Sequence, residues 1–109
     1  MSGYYRPVVK LHNMKKFQAT VQFEMNDEFM SLIPAHRIYI NSLIEKGIID
    51  QYAVSMESQQ VWITFTGDSK DEIEEYLNKS PLNPFWTYEI DELYLYDGQH
   101  YRLPHVQLN

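Results

Sequence analysis

Apolar and polar residues alternate without a break along residues 17–25. Because the side chains of a β-strand point alternately to its two faces, this alternation predicts a strand with one buried face and one polar face. The same rule predicts three further strands over residues 48–57, 60–66 and 85–96. A hairpin turn at Ser58 and Gln59 is expected to join the second strand to the third.

Two other segments show the three- and four-residue apolar spacing that is typical of a helix. The first is predicted over residues 28–46, after an N-cap or turn at Asn26 and Asp27. Pro34 either lies near the start of this helix, where its missing N–H matters least, or separates a short first turn from the main helix. The second helix is predicted to begin after Ser69, where Glu72 completes a capping box. The apolar stripe of the first helix comprises Phe29, Leu32, Ile33, His36, Ile40, Leu43 and Ile44.

The resulting order, β-α-β-β-α-β, predicts an α+β fold of the ferredoxin-like type, with two helices covering one face of a four-stranded antiparallel sheet. A chain of 109 residues accommodates one such core. We assign residues 17–97 to this domain, residues 1–16 to a basic N-terminal extension and residues 98–109 to a C-terminal arm. The uncovered sheet face is expected to carry Gln18, Thr20, Gln22, Ala53, Ser55, Trp62 and Thr64.

Composition narrows the classes of function that are compatible with this fold. The net charge is −6, and outside the first 16 residues five bases face fifteen acids, which disfavours nucleic-acid binding. The chain has no cysteine, so disulfides, thiolate chemistry and cysteine-based metal sites are excluded. No apolar run approaches the roughly 20 residues of a membrane span, and no apolar signal segment follows the N-terminus. A cytoplasmic protein without a membrane partner is therefore expected.

Two segments carry a resemblance to a known family. The first helix, with the run Phe-Met-Ser-Leu-Ile-Pro-Ala-His-Arg at residues 29–37, is similar to that of the muconolactone isomerase-like proteins. The stretch at residues 80–90 resembles the connection between the second helix and the last strand of that family. The similarity implies a dimeric α+β barrel, in which two sheets pack face to face as a homodimer or within a larger oligomer. It also implies a cofactor-independent isomerase, because the family's namesake moves a double bond in a small lactone without metal or cofactor.

Three residues are candidates for catalysis by proton transfer. His36, on the apolar stripe, is either a hydrogen-bonded core residue or a proton shuttle facing a cavity between helix and sheet. Arg37 is expected to hold a substrate carboxylate or to pair with an acid such as Glu24 or Glu89. Tyr52 is either a core residue or a hydrogen-bond donor that stabilises the enolate formed when a proton is removed from the substrate.

Aromatic residues and carboxylates supply the remaining candidates. Trp62, Trp86 and Tyr88 are expected to line a substrate-binding slot or to be buried in a subunit contact. Glu24 and Glu89 are candidate bases if they are buried, since burial raises the pKa of a carboxyl group.

The histidines show no tight metal-ligand spacing, and no cofactor is expected; they are His12, His36, His100 and His105. The leading hypothesis is binding or isomerisation of a small lactone or carboxylic acid. The alternatives are a non-catalytic homo-oligomeric module and an oxygenase or haem-binding relative on the same scaffold.

Overall fold

The computed structural model describes residues 14–98, which form four strands and two helices in the predicted order. The elements are β1 (Lys15–Phe23), α1 (Asp27–Glu45), β2 (Ile49–Ser55), β3 (Gln60–Gly67), α2 (Lys70–Asn78), a 3-10 turn (Asn83–Phe85) and β4 (Trp86–Leu93). The predicted N-terminal extension and C-terminal arm lie almost entirely outside the described residues. None of the helices within residues 14–98 is long and apolar enough to cross a membrane.

The four strands form one sheet in the order β2-β3-β1-β4, and all neighbouring strands are antiparallel. Ala19, at the middle of β1, lies opposite Ile63 of β3 and Ile90 of β4. This arrangement confirms the predicted α+β class with a four-stranded antiparallel sheet and two helices. The strand order is compatible with a ferredoxin-like plait.

Both helices cover the apolar face of the sheet, and the core lies between the two layers. The two central strands fill it with alternate residues, as their alternation predicts. Each helix contributes only the residues of its inner stripe. The fully apolar members of the core from these four elements are Phe17, Ala19, Val21, Phe23, Val61, Ile63, Phe65, Phe29, Ile40, Leu43, Ile73 and Leu77.

The ends of the helices follow the predicted capping signals. Asn26 caps α1, because its Oδ1 accepts a hydrogen bond from the backbone N–H of Phe29 at 2.8 Å. The helix continues through Pro34, which is exposed, so the alternative of a separate first turn is wrong. Ser69 caps α2, and Glu72 Oε1 accepts a hydrogen bond from the N–H of Asp68 at 2.8 Å, one residue earlier than a standard capping box.

A bulge in β2 decides which of its side chains face the helices. The register with β3 shifts between Ile49 and Gln51, so that Ile49 lies opposite Phe65 and Tyr52 opposite Ile63. Both residues therefore face the helix layer although they are three positions apart, which a regular strand would not allow. Two other strands also differ from their predicted bounds: β1 lies two residues earlier, over Lys15–Phe23, and β4 ends at Leu93 rather than near residue 96.

Candidate functional site

A cavity of about 270 Å³ lies between α1 and one end of the sheet. Its walls are predominantly apolar, and its polar groups come from three neighbouring side chains, those of His36, Arg37 and Tyr52. Concave, mostly apolar cavities with a few polar groups are typical of small-molecule sites. The apolar part of the wall consists of Phe23, Met25, Phe29, Met30, Ile33, Val54, Met56, Val61, Leu82 and Trp86.

His36 is buried at the inner wall of this cavity, with 2 % of its surface exposed. Its Nδ1 lies 2.7 Å from the hydroxyl oxygen of Ser80, and its Nε2 lies 2.7 Å from the hydroxyl oxygen of Tyr52. The two sequence-based interpretations of His36 are therefore not exclusive, because the residue is both hydrogen-bonded in the core and part of the cavity wall. Its partners are side chains and not the backbone.

Burial keeps two groups of this wall, the imidazole of His36 and the phenol of Tyr52, neutral at physiological pH. Burial, together with the positive charge of Arg37, lowers the pKa of His36 to about 4. Burial raises the pKa of Tyr52 to about 12, against the opposing effect of Arg37. The imidazole thus carries a single proton, and the phenol keeps its own.

Arg37 brings the only positive charge to the wall of the cavity within the described chain. Its guanidinium lies over the ring of Tyr52, 5.4 Å from the centroid, and its Nη2 donates a hydrogen bond to Asn41 at 3.1 Å. Within residues 14–98 it forms no ion pair with an acid, so the predicted pairing with Glu24 or Glu89 is wrong there. The charge is available to a ligand at the edge of the cavity.

The connection from α2 to β4 places Leu82 in the wall and Ser80 behind it, against His36. Ser80 is buried directly after the helix, and its hydroxyl oxygen accepts a hydrogen bond from the N–H of Leu82 at 3.0 Å. Trp86 begins β4 opposite Phe23, and its ring meets that of His36 edge to face at 5.5 Å. The indole Nε1 of Trp86 is buried and has no hydrogen-bond partner in the described part of the chain.

Exposed apolar side chains surround the entrance. Met25, Met30, Val54 and Met56 all line the cavity and are between 40 % and 57 % exposed. They come from four places in the chain, namely the segment after β1, the first half of α1, the end of β2 and the following turn. Because methionine side chains are flexible and polarizable, such a rim adapts to ligands of different shape.

The structure brings together four of the six residues that the sequence analysis assigned to the site. His36, Arg37, Tyr52 and Trp86 share the wall of one cavity. Trp62 does not, because it lies opposite Thr20 and Ala53 on the other face of the sheet.

Tyr88 also lies away from the cavity. Its hydroxyl directs its single proton toward α2, where Asn78 Oδ1 lies at 2.9 Å and Glu74 Oε2 at 3.3 Å. The candidate bases Glu24 and Glu89 are exposed and are not part of the cavity wall.

No pattern in the sequence predicts a role for Ser80 or for the exposed apolar side chains at the entrance of the cavity. Ser80 lies 44 residues from His36, and no local pattern connects the two. Its position directly before Pro81, in a segment that ends a helix, is the one signal that the sequence contains.

Within residues 14–98, no group of three or more histidine, aspartate or glutamate residues is arranged to hold a metal ion. The chain was also compared with known proteins, and neither a family model nor a curated protein matches it.

Proposed function

We propose that this protein binds a small, largely apolar molecule in the cavity between α1 and the sheet, as a protein similar to the muconolactone isomerases. One observation carries the proposal: an apolar cavity of about 270 Å³ has its polar groups gathered on one wall. Such a distribution suits a ligand with an apolar body and a single polar end.

The charges of the wall narrow the class of ligand further. His36 is neutral above its pKa of about 4, and Tyr52 is neutral below its pKa of about 12. Arg37 supplies one positive charge, and no acidic side chain lines the cavity in the described part of the chain. A neutral lactone or a monocarboxylic acid fits this balance better than a dianion or a cation.

The two segments that resemble the muconolactone isomerase-like proteins meet at this cavity. Residues 29–37 supply His36 and Arg37 to its wall, residues 80–90 supply Leu82 and Trp86, and Ser80 binds His36 from behind the wall. The resemblance, which covers roughly residues 17–95, thus includes residues that surround the candidate ligand, and this supports a shared mode of binding.

A purely structural, non-catalytic module is the competing proposal, and it expects side chains to fill this space. The open cavity and the side-chain partners of His36 favour ligand binding instead. For the haem-binding alternative, His36 would have to give up a hydrogen bond, because both of its ring nitrogens are engaged.

Isomerisation is the second candidate function, and Tyr52 is the residue that favours it. In such a reaction a base removes a proton from the carbon next to a carbonyl, and the proton returns to another carbon after the double bond has moved. The hydroxyl of Tyr52 would donate a hydrogen bond to the enolate oxygen. His36 is a weak candidate for the base, since a pKa of about 4 lies well below the operating pH.

Product analysis separates an isomerase from a binding protein. We expect an isomerase to move the double bond of a bound butenolide, which proton NMR follows, with loss of this activity in Tyr52→Phe. Binding without movement of the double bond would leave the binding function and overturn the isomerase.

We also propose that the uncovered sheet face packs against a second copy of this chain. On β1, β2 and β3 this face combines uncharged polar side chains with one large ring, Trp62, which is only partly buried, whereas β4 adds the exposed acids Glu89 and Asp91 at its edge. Thr20 and Ala53 flank this ring on the neighbouring strands. A ring among uncharged neighbours is typical of association surfaces.

Ligand binding is tested by thermal unfolding in the presence of benzoate, cyclohexanecarboxylate and a butenolide. A ligand at ten times its Kd stabilises the folded state by about 1.4 kcal/mol, which raises the Tm by roughly 5 to 10 °C. Ile33→Trp fills the cavity and is expected to abolish the shift, whereas Ile38→Trp on the exposed side of α1 is expected to retain it. Shifts of equal size in both variants would overturn the proposed site.

A further inference from the structure

Three side chains form a continuous hydrogen-bonded chain from the core to the cavity. The hydroxyl oxygen of Ser80 lies 2.7 Å from Nδ1 of His36, and the hydroxyl oxygen of Tyr52 lies 2.7 Å from Nε2. A neutral imidazole has one N–H donor and one acceptor nitrogen. The hydrogen bonds are therefore donated either from Ser80 through His36 to Tyr52 or from Tyr52 through His36 to Ser80. The two possible directions present opposite chemistry to the cavity.

The surroundings of Ser80 decide between these directions. Its oxygen already accepts a hydrogen bond from the N–H of Leu82 at 3.0 Å. In the described part of the chain, Nδ1 of His36 is the only acceptor within reach of the hydroxyl proton of Ser80. Because Ser80 and His36 are both buried, leaving this hydroxyl proton without an acceptor would be unfavourable. Ser80 therefore donates to Nδ1.

The position of the imidazole proton and the hydrogen-bonding role of Tyr52 follow from this first hydrogen bond. With Nδ1 as acceptor, the imidazole proton is on Nε2 and is donated to the hydroxyl oxygen of Tyr52. The phenolic proton of Tyr52 then has no acceptor in the described part of the chain, and Tyr52 lines the cavity. In the opposite tautomer Tyr52 would instead donate to Nε2 and offer the cavity an acceptor.

Trp86 does not offer a second donor to the ligand. The residue lines the same cavity and contacts the ring of His36, and its surface is 7 % exposed. Its Nε1–H, which is a donor only, has no partner in the described part of the chain, but this atom is itself buried and does not open onto the cavity. The hydroxyl of Tyr52 is therefore the proton that this part of the wall presents to a ligand.

We infer that the ligand presents an acceptor oxygen, from a carbonyl or carboxylate group, to the hydroxyl of Tyr52, and that Ser80 is a positioning residue that sets this direction through His36. The inference rests on the proposed binding function and names the polar group that the site receives. It excludes ligands whose polar end is only a donor. His36 then acts by orienting the phenol and does not itself contact the acceptor oxygen.

The ligand class is tested with two probes of closely similar shape, acetophenone and α-methylstyrene, of which only the ketone has an acceptor oxygen. We expect acetophenone to bind roughly tenfold more tightly to the unaltered protein, which is the usual net effect of one hydrogen bond. Tyr52→Phe is expected to bring the two affinities together. Equal affinities in the unaltered protein, or a preference that survives in Tyr52→Phe, would overturn the inference.

The direction of hydrogen-bond donation from Ser80 to Tyr52 is tested without any ligand, by ¹⁵N NMR of the full-length protein labelled at histidine. The His36 signals, assigned by their loss in His36→Gln, are expected to show a protonated Nε2 and an unprotonated Nδ1. Ser80→Ala is expected to change this tautomer, whereas Ser42→Ala, which removes a hydroxyl bonded to the carbonyl of Tyr39, is expected to leave it unchanged. A protonated Nδ1 in the unaltered protein would overturn the inference.

Failure of the inference is distinguishable from failure of the proposed function. If both probes bind equally, the cavity is a binding site but its polar end is misassigned. If neither probe nor any member of the carboxylic acid and lactone panel binds, the proposed function falls and the ligand class falls with it.

Discussion

His36 shows how burial changes the chemistry of a single residue. An exposed imidazole titrates near pH 6.5, but burial and the neighbouring charge of Arg37 lower its pKa to about 4. The two hydrogen bonds to Ser80 and Tyr52 compensate for the loss of water around the neutral ring. A residue type that usually suggests acid–base catalysis is here suited to orienting a hydroxyl group.

The lowered pKa of His36 predicts a pH dependence of stability. Between about pH 6.5 and pH 4 the unfolded chain binds a proton at this residue and the folded chain does not, so the free energy of unfolding decreases as the pH falls. The expected loss from this residue is up to about 3 kcal/mol across that range. Urea unfolding at several pH values measures it.

A His36→Gln variant is the control for this pH dependence. The carboxylates titrate in the same range in both proteins, so the difference between their pH profiles isolates His36. Parallel profiles for the two proteins would contradict the lowered pKa.

At the scale of elements, α1 and β2 bring the two parts of the polar wall together. His36 faces inward because it lies on the buried stripe of α1, between residues at helical spacing. Tyr52 faces inward because the bulge after Ile49 resets the alternation of β2. A strand without this bulge would direct either Ile49 or Tyr52 to the opposite face of the sheet.

The N-cap of α1 gives a prediction at this scale. Asn26→Ala removes the acceptor for the N–H of Phe29 and is expected to lower the free energy of unfolding by about 1 kcal/mol. Asn26→Asp retains an acceptor oxygen and is expected to remain close to the unaltered protein. Urea unfolding measures both variants, and an equal loss in the two would show that the hydrogen bond accepted by residue 26 is not the source of the stabilisation.

At the scale of the whole molecule, the two faces of the sheet differ in their surroundings. The helices cover one face and enclose the core and the cavity. The other face carries Trp62 and its polar neighbours, and we propose that a second copy of the chain covers it. A buried counterpart, Trp86, lies on the helix side.

Sedimentation tests the proposed dimer. We expect a particle of twice the 13.0 kDa chain mass. Trp62→Lys is expected to give a single chain, because burying an unpaired charge in an interface is unfavourable. Ile44→Lys, at an exposed position of α1, is the matched control and is expected to leave the dimer intact.

Iodide quenching reports on the same surface. The chain has two tryptophans, and Trp86 is buried, so any accessible fluorescence comes from Trp62. We expect Trp62 to be shielded in the dimer. A single 13.0 kDa particle with freely quenched fluorescence would contradict the proposed assembly.

The sequence by itself determined the order of the elements, the covered face of the sheet and the inward position of His36. These features depend on side-chain periodicity and capping, which are local properties of strands and helices. Asn26 and Ser69 mark helix starts in the sequence, and both cap their helices in the structure.

Only the tertiary structure decided the partners of His36 and the membership of the cavity. Ser80 and Tyr52 are 44 and 16 residues away from His36, and they meet it because of the way α1 docks on the sheet. The bulge in β2 and the connection before β4 then determine which hydroxyl and which indole face the imidazole. Contacts of this kind depend on packing between elements, and no periodic pattern within one element encodes them.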